Sequence, residues 1–196
     1  SPPFGPLPTP VGLVEEVTLP IAGERLVMGF IGPSAIAFEH AALEVLNEIL
    51  MEGESARVFR RLINELELAA AAYGYVPALR QGSLYEIGVD LRPGVAAEEA
   101  IAVIHAAMAE ISRDGPTQKE LEKARNRLET RFYQELQTAQ RRAQALGYWE
   151  VVHQAEFIST RAQQLRKVGI SDVMSAAAAY LRPDRAITVI GRPEAT

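Results

Sequence analysis

The order of periodic segments predicts an α+β domain, an antiparallel sheet with helices packed mainly on one face. Three observations carry this. Strand-like runs come as two, then two, then one, separated by helical stretches, and this does not alternate regularly enough for a doubly wound parallel sheet. In Leu84–Leu91, Tyr85, Ile87, Val89 and Leu91 share one face while Glu86, Gly88 and Asp90 point away, the pattern of a strand with one buried face. The 196 residues are 48% hydrophobic and 23% charged, enough for one domain with a sizeable core.

Taken in order, Ser1 to Pro10 contains five prolines and reads as a linker cut from a longer chain, so residues 1–13 are assigned to a linker and 14–196 to a single domain. Val14–Leu19 and Arg25–Ile31 are strands; in the second, Leu26, Met28 and Phe30 alternate with Val27, Gly29 and Ile31, so both faces can be covered. Gly32-Pro33-Ser34 breaks the run. A helix over 35–51 places Ala42, Val45, Leu46, Ile49 and Leu50 on one stripe, with Glu39, Glu44, Asn47 and Glu48 on the other side. After Gly53 a second helix carries Val58, Phe59, Leu62, Ile63 and Leu66. Strands at 69–79 and 84–91 follow, then a helix over 96–112 with Ala97, Ile101, Ile104, Met108 and Ile111 inward. Thr117 and Glu120 form a capping box for a helix reaching about residue 157, with a break near Gly147. Ser171 caps a further helix, Arg182-Pro183 stops it, and 186–190 is the last strand.

Composition excludes several functions. With no cysteine there is no thiol catalysis, disulfide or thiolate metal site. A net charge of −5 disfavours nucleic acid as the main partner, and no apolar run is long enough for a membrane helix. Neither a Gly-x-Ser-x-Gly elbow nor a glycine-rich phosphate loop occurs. His105 lies at the edge of an apolar stripe, and His40 precedes Glu44 by four residues on one helical face without a third ligand nearby. His153-Gln154-Ala155-Glu156-Phe157 resembles an H-x-x-E-H zinc motif whose second imidazole is replaced by phenylalanine; without it the site is broken. The expectation is a chain with no catalytic residue and no metal of its own.

Several stretches together resemble the pitrilysin/insulysin family of zinc peptidases. Residues 48–62, from Glu48 through Gly53, Ser55 and Arg57 to Leu62, are similar to its helix, glycine-rich turn and Ser-Ser-Arg-Leu segment. Asp114-Gly115-Pro116-Thr117 followed by Glu120, Leu121 and Ala124 resembles its Gly-Pro-Thr-x-x-Glu-Leu-x-x-Ala-Lys stretch, and Tyr180 to Arg185 resembles its domain end. The cues run in order from about residue 14 to 192. The resemblance implies a fold like the mitochondrial-processing-peptidase domains, a LuxS-like metallohydrolase architecture. It also implies the C-terminal-type, non-catalytic half of a clamshell enzyme, walling the chamber and aiding peptide binding. Zinc is then expected in a partner half, in the same parent chain or in another subunit; the alternative is a non-proteolytic scaffold or binding subunit.

In many such halves an arginine and a tyrosine help to bind substrate, in a stretch like Leu-Arg-x-x-x-x-Leu-x-Tyr. Here the matching residues run from Leu62 to Ala70, with Ile63 and Ala70 in place of that pair and Glu67 in place of the usual glycine. Tyr73 and Tyr75, just downstream, are therefore the candidate substrate-binding residues. Arg57, matching the arginine of Ser-x-Arg, is read as structural or as surface recognition. For a bacterial protein the resemblance favours the periplasm or cell envelope.

Overall fold

Strand β2 (Arg25–Gly32) shows how the sequence builds the sheet. Its even-numbered residues Leu26, Met28 and Phe30 are at most 1% exposed, while Val27 between them is 37% exposed, so only one face is covered. The computed structural model describes residues 12–194; residues 1–11, most of the proline-rich linker, lie outside them. Leu13, the last residue assigned to that linker, opens strand β1 (Leu13–Leu19).

Five strands form one sheet in the order β1-β5-β2-β4-β3, where β3 is Ala69–Tyr75, β4 Ser83–Leu91 and β5 Ile187–Pro193. The pairs β5–β2, β2–β4 and β4–β3 are antiparallel, as expected; β1 runs parallel to β5 at one edge. No hairpin joins β1 to β5, so turn geometry does not impose their relative direction. Seven helices among the described residues complete the fold: α1 (Phe38–Leu50), α2 (Arg57–Phe59), α3 (Ala97–Asp114), α4 (Gln118–Glu135), α5 (Ala139–Val152), α6 (Phe157–Lys167) and α7 (Ile170–Tyr180).

The core lies between the helices and the face of the sheet carrying Leu26, Met28, Phe30, Tyr85, Ile87 and Val89. Helix α1 sits at its centre. Ten of its thirteen residues are buried, including Asn47 and Glu48, which its amphipathic pattern assigned to a polar side. A surface helix would have left them wet; here α4 and α6 also pack on α1.

Four local features depart from the sequence reading. Residues Arg60–Glu65 form a π-helical turn after α2, and the N–H of Leu66 donates to the carbonyl of Arg61, five residues back. The extra residue per turn rotates Leu66 out of its stripe, leaving it 53% exposed. The long helix breaks at Leu136-Gln137-Thr138 rather than near Gly147, because the Thr138 side chain accepts from the Arg141 N–H and starts α5. Gly147 sits within α5. Helix α7 is capped at Gly169, whose N–H donates to Asp172 at 2.7 Å, rather than by Ser171. The Thr117–Glu120 capping box forms as expected.

Candidate functional site

Tyr73 sits on the open face of the sheet. Strand pairing aligns it with Gly88 of β4, which faces Val27 of β2, and Val27 faces Val189 of β5. Its ring lies directly over Gly88, where a built Cβ would come within 2.2 Å of it, so that glycine gives the ring its seat. The Tyr73 hydroxyl donates to Glu86 Oε1 at 2.8 Å, and this bond raises its pKa. The same face leaves Leu13, Val17, Val27, Leu84 and Ile187 between 37% and 47% exposed. Among the described residues no helix lies over this largely apolar surface. Tyr75, 58% exposed, ends edge strand β3 opposite Glu86, two residues on from Tyr73 and on the same face, and it also borders a recess beside α1. The two tyrosines therefore share the open face, and Tyr75 also reaches the border of the recess.

The segment from Leu62 to Ala70 runs from the π-turn into β3. Ile63 packs against the core, and Ala70 is exposed at a bulge where the β3–β4 register shifts. Neither can donate a hydrogen bond from its side chain. Glu67 has φ 51°, in the left-handed region, and is the sole non-glycine residue there among those described. The position where relatives resemble a glycine thus keeps the glycine conformation without the glycine.

Arg57 is a latch. Its guanidinium donates to both Glu120 oxygens at 2.8 Å and to the Gly115 carbonyl at 3.2 Å, tying α2 to the turn between α3 and α4. That bidentate bond, with the capping-box bonds from Thr117, holds the Glu120 carboxyl down at about 2. Of its two sequence readings, the structural one describes its contacts.

The histidines do not converge. Helix α5 stops at Val152 and α6 begins at Phe157, so exposed His153 and Glu156 lie in the link and share no helical face. His153 meets Phe157 edge-on, with ring centroids 5.8 Å apart. His105 is half-buried on α3, and burial pushes its pKa down. His40 is fully buried, with Nε2 3.2 Å from the Pro77 carbonyl and Nδ1 3.9 Å from Glu44, and burial likewise lowers its pKa. Glu44 in turn pairs with Arg161, whose guanidinium stacks 5.6 Å from the Trp149 ring. Among the described residues no three histidine, aspartate or glutamate side chains come together in a way that would hold a metal ion.

What the sequence did not single out is the recess beside Tyr75. A cavity of about 290 Å³ opens between α1, the end of β3, α4 and α6. Asn47 and Glu48 form its floor; Glu52, Arg131, Phe132 and Glu135 stand around it. Burial raises the Glu48 pKa, opposed by Arg131 at 2.7 Å and Arg127 at 3.4 Å. Asn47 donates to the Gly74 carbonyl at 3.3 Å, and the backbone at Gly74 comes so close that a Cβ would collide with Asn47 Oδ1. Asn47 and Glu48 are adjacent polar residues in a helix flanked by leucines and isoleucine, which is the signal that could have marked them.

Comparison with known proteins agrees with this geometry. The profile of the family described as "Peptidase M16 inactive domain" matches residues 2–128. The zinc protease PqqE of Helicobacter pylori is 23% identical over 170 residues, covering 87% of this chain and 38% of that protein. A crystal structure of a protease from Helicobacter pylori superposes with a TM-score of 0.90 at 22% identity, over 98% of this chain and 47% of that one. A peptidase M16 inactive domain from Pseudomonas fluorescens gives 0.85 at 18% identity, over 98% of this chain and 46% of that one. The chain spans less than half the length of these relatives. With about two thirds of its residues inside the family match, the chain belongs to the peptidase M16 family as an inactive domain.

Proposed function

We propose that this domain is the non-catalytic half of a zinc-dependent peptidase, and that the open face of its sheet forms one wall of the substrate chamber. The observation carrying this is the uncovered apolar face itself. Helices bury one side of the sheet, while Val27, Leu84, Ile187 and Tyr73 remain exposed side by side on the other. A sheet face of this kind offers apolar contact to an extended chain or to a facing domain. Zinc, its ligands and the activated water belong to a partner half, in the same parent chain or a second subunit; peptide is the substrate. The name of the Helicobacter relative, a zinc protease of which this chain covers 38%, supports a partner of that kind. One similar structure is described as a periplasmic protease, from Escherichia coli, which accords with a periplasmic or envelope location.

The test is reconstitution. A zinc-bearing half is assayed on peptides alone and with this chain added. The expected result is little activity from either part and chelator-sensitive hydrolysis from the mixture. Hydrolysis by this chain alone, or a zinc-bearing half indifferent to it, overturns the reading.

A further inference from the structure

The recess beside Tyr75 contains hydrogen-bond acceptors in excess of donors. Asn47 Oδ1 and both Glu48 carboxylate oxygens are buried without a hydrogen-bond partner, on side chains more than nine-tenths buried. Such groups are costly unless a donor reaches them. Four carboxylates line the cavity, those of Glu44, Glu48, Glu52 and Glu135, against the guanidinium groups of Arg131 and Arg161. Arg161 pairs with Glu44 through Nη2 and stacks on Trp149, while its buried Nη1 has no hydrogen-bond partner. Arg127, just outside, donates to the Glu52 carbonyl at 2.6 Å and also lies 3.4 Å from Glu48 Oε2. Arg131, whose side chain is 46% exposed, pairs with Glu48 Oε1 at 2.7 Å and is the most accessible cation over the floor. The rim is aromatic, with Tyr75 and Phe132, which suits a cation as well as an alkyl stem.

We propose that this recess is a binding site for a basic side chain of a bound peptide, which takes the place Arg131 now holds over Asn47 and Glu48. The inference rests on the reading of this domain as a peptide-handling half. A guanidinium or ammonium group supplies only donors, matching the unpartnered Asn47 Oδ1 and the Glu48 carboxylate at the floor. Metal chelation is not the alternative, because the carboxylates do not converge on one point. The cavity, about 290 Å³, is at the small end of ligand sites and accommodates one long side chain. It opens at Gly74 and Tyr75, on an edge strand whose outer side is unpaired, so a peptide passing that edge can drop a side chain into it. Burial of Glu48 adds to the preference, since its carboxylate gains from each cation that approaches.

The probe is a capped Ala-Arg-Ala tripeptide, titrated into the 196-residue chain and followed by NMR, beside the same tripeptide with neutral citrulline in place of arginine. The expected result is saturable binding of the arginine form, at least about tenfold tighter than the citrulline form. Glu48→Gln should weaken it about tenfold, and Arg131→Ala, which removes the internal competitor, should strengthen it several-fold. Equal binding of citrulline, or weaker binding by Arg131→Ala, overturns the proposal, and the second remains readable if Glu48→Gln does not fold. Agmatine binding more tightly than the tripeptide overturns the peptide as the source of the cation. Failure of the chamber reading is seen separately: stimulation of the zinc-bearing half is then absent even towards an arginine-free peptide.

Discussion

The two faces of strand β2 carry similarly apolar side chains and meet opposite fates. Leu26, Met28 and Phe30 disappear under α1 and its neighbours, while Val27, between Leu26 and Met28, stays 37% exposed. The same split runs across the sheet: Tyr85, Ile87 and Val89 inward, Leu84 and Tyr73 outward. The core face is explained by the chain itself. The open face is not, because apolar surface that stabilises nothing within the domain is surface available to something outside it. The ionic contacts divide in the same way. Arg57 and Glu120 form a bidentate, partly buried latch on the helical side, whereas Arg25 and Asp90 meet at 2.9 Å on the open face with side chains at least half exposed.

The contrast is sharpest for large side chains. Phe30→Ala should destabilise the domain by about 3–5 kcal/mol, through lost burial and the cavity left beside Tyr85. Urea denaturation measures it, and a loss under about 1 kcal/mol would show the two faces to be energetically alike.

Next come the ion pairs. Arg57→Ala should cost about 2–3 kcal/mol, because it removes the guanidinium donors from both Glu120 oxygens and from the Gly115 carbonyl together. Arg25→Ala should cost under about 1 kcal/mol. The acid limb separates them further. The Glu120 carboxyl has a folded pKa of about 2, below its ordinary 4.5, so its contribution is present above 4.5 and lost as pH falls towards 2. Denaturation curves between pH 6 and pH 2 should therefore lose stability steadily in the parent and less in Arg57→Ala. Parallel curves would remove the latch from the account.

A smaller effect tests the backbone entry to β3. Glu67→Gly should stabilise by about 0.5–1 kcal/mol, since relief of the left-handed conformation exceeds the extra chain entropy of glycine. A lower thermal midpoint would show that the Glu67 side chain contributes more than the strain removes.

The smallest effect on stability is expected on the open face. Val27→Thr should change unfolding free energy by less than about 0.5 kcal/mol. In the reconstituted enzyme it should nevertheless lower kcat/KM, because the chamber wall proposed for this face would lose apolar area. Unchanged kcat/KM with this variant and with Tyr73→Phe would leave the face without a part in catalysis.

Much of the fold was legible because periodicity is a local property. Alternation in β4, the stripe of α3 and the Thr117 box each follow from a few neighbouring residues, and each formed where expected. The misses share a cause. Thr138 competes with Gly147 as a helix breaker, and Asp172 reaches back to Gly169 before Ser171 can act; such contests between adjacent caps are settled by fractions of a kcal/mol that residue types alone do not rank. The π-turn that turns Leu66 outward arises where α2 must feed the bulge of β3. Of the candidate site, Tyr73 and Tyr75 were visible as tyrosines, but the open face they share and the recess that Tyr75 also borders were not.

What the sequence alone determined is the kind of domain: five strands, their helical connections, the apolar sets that make the core, the absence of cysteine chemistry, and a resemblance carried by turns and caps whose residue types are specific. What only the tertiary structure decided is which apolar set stays uncovered and which polar pair is buried. Nothing in Asn47-Glu48 says that α4 and α6 close over that side of α1, and nothing in Val27 says that no helix covers it. Burial is a property of contacts between segments far apart in the chain, and a side chain's neighbours along the sequence do not contain it.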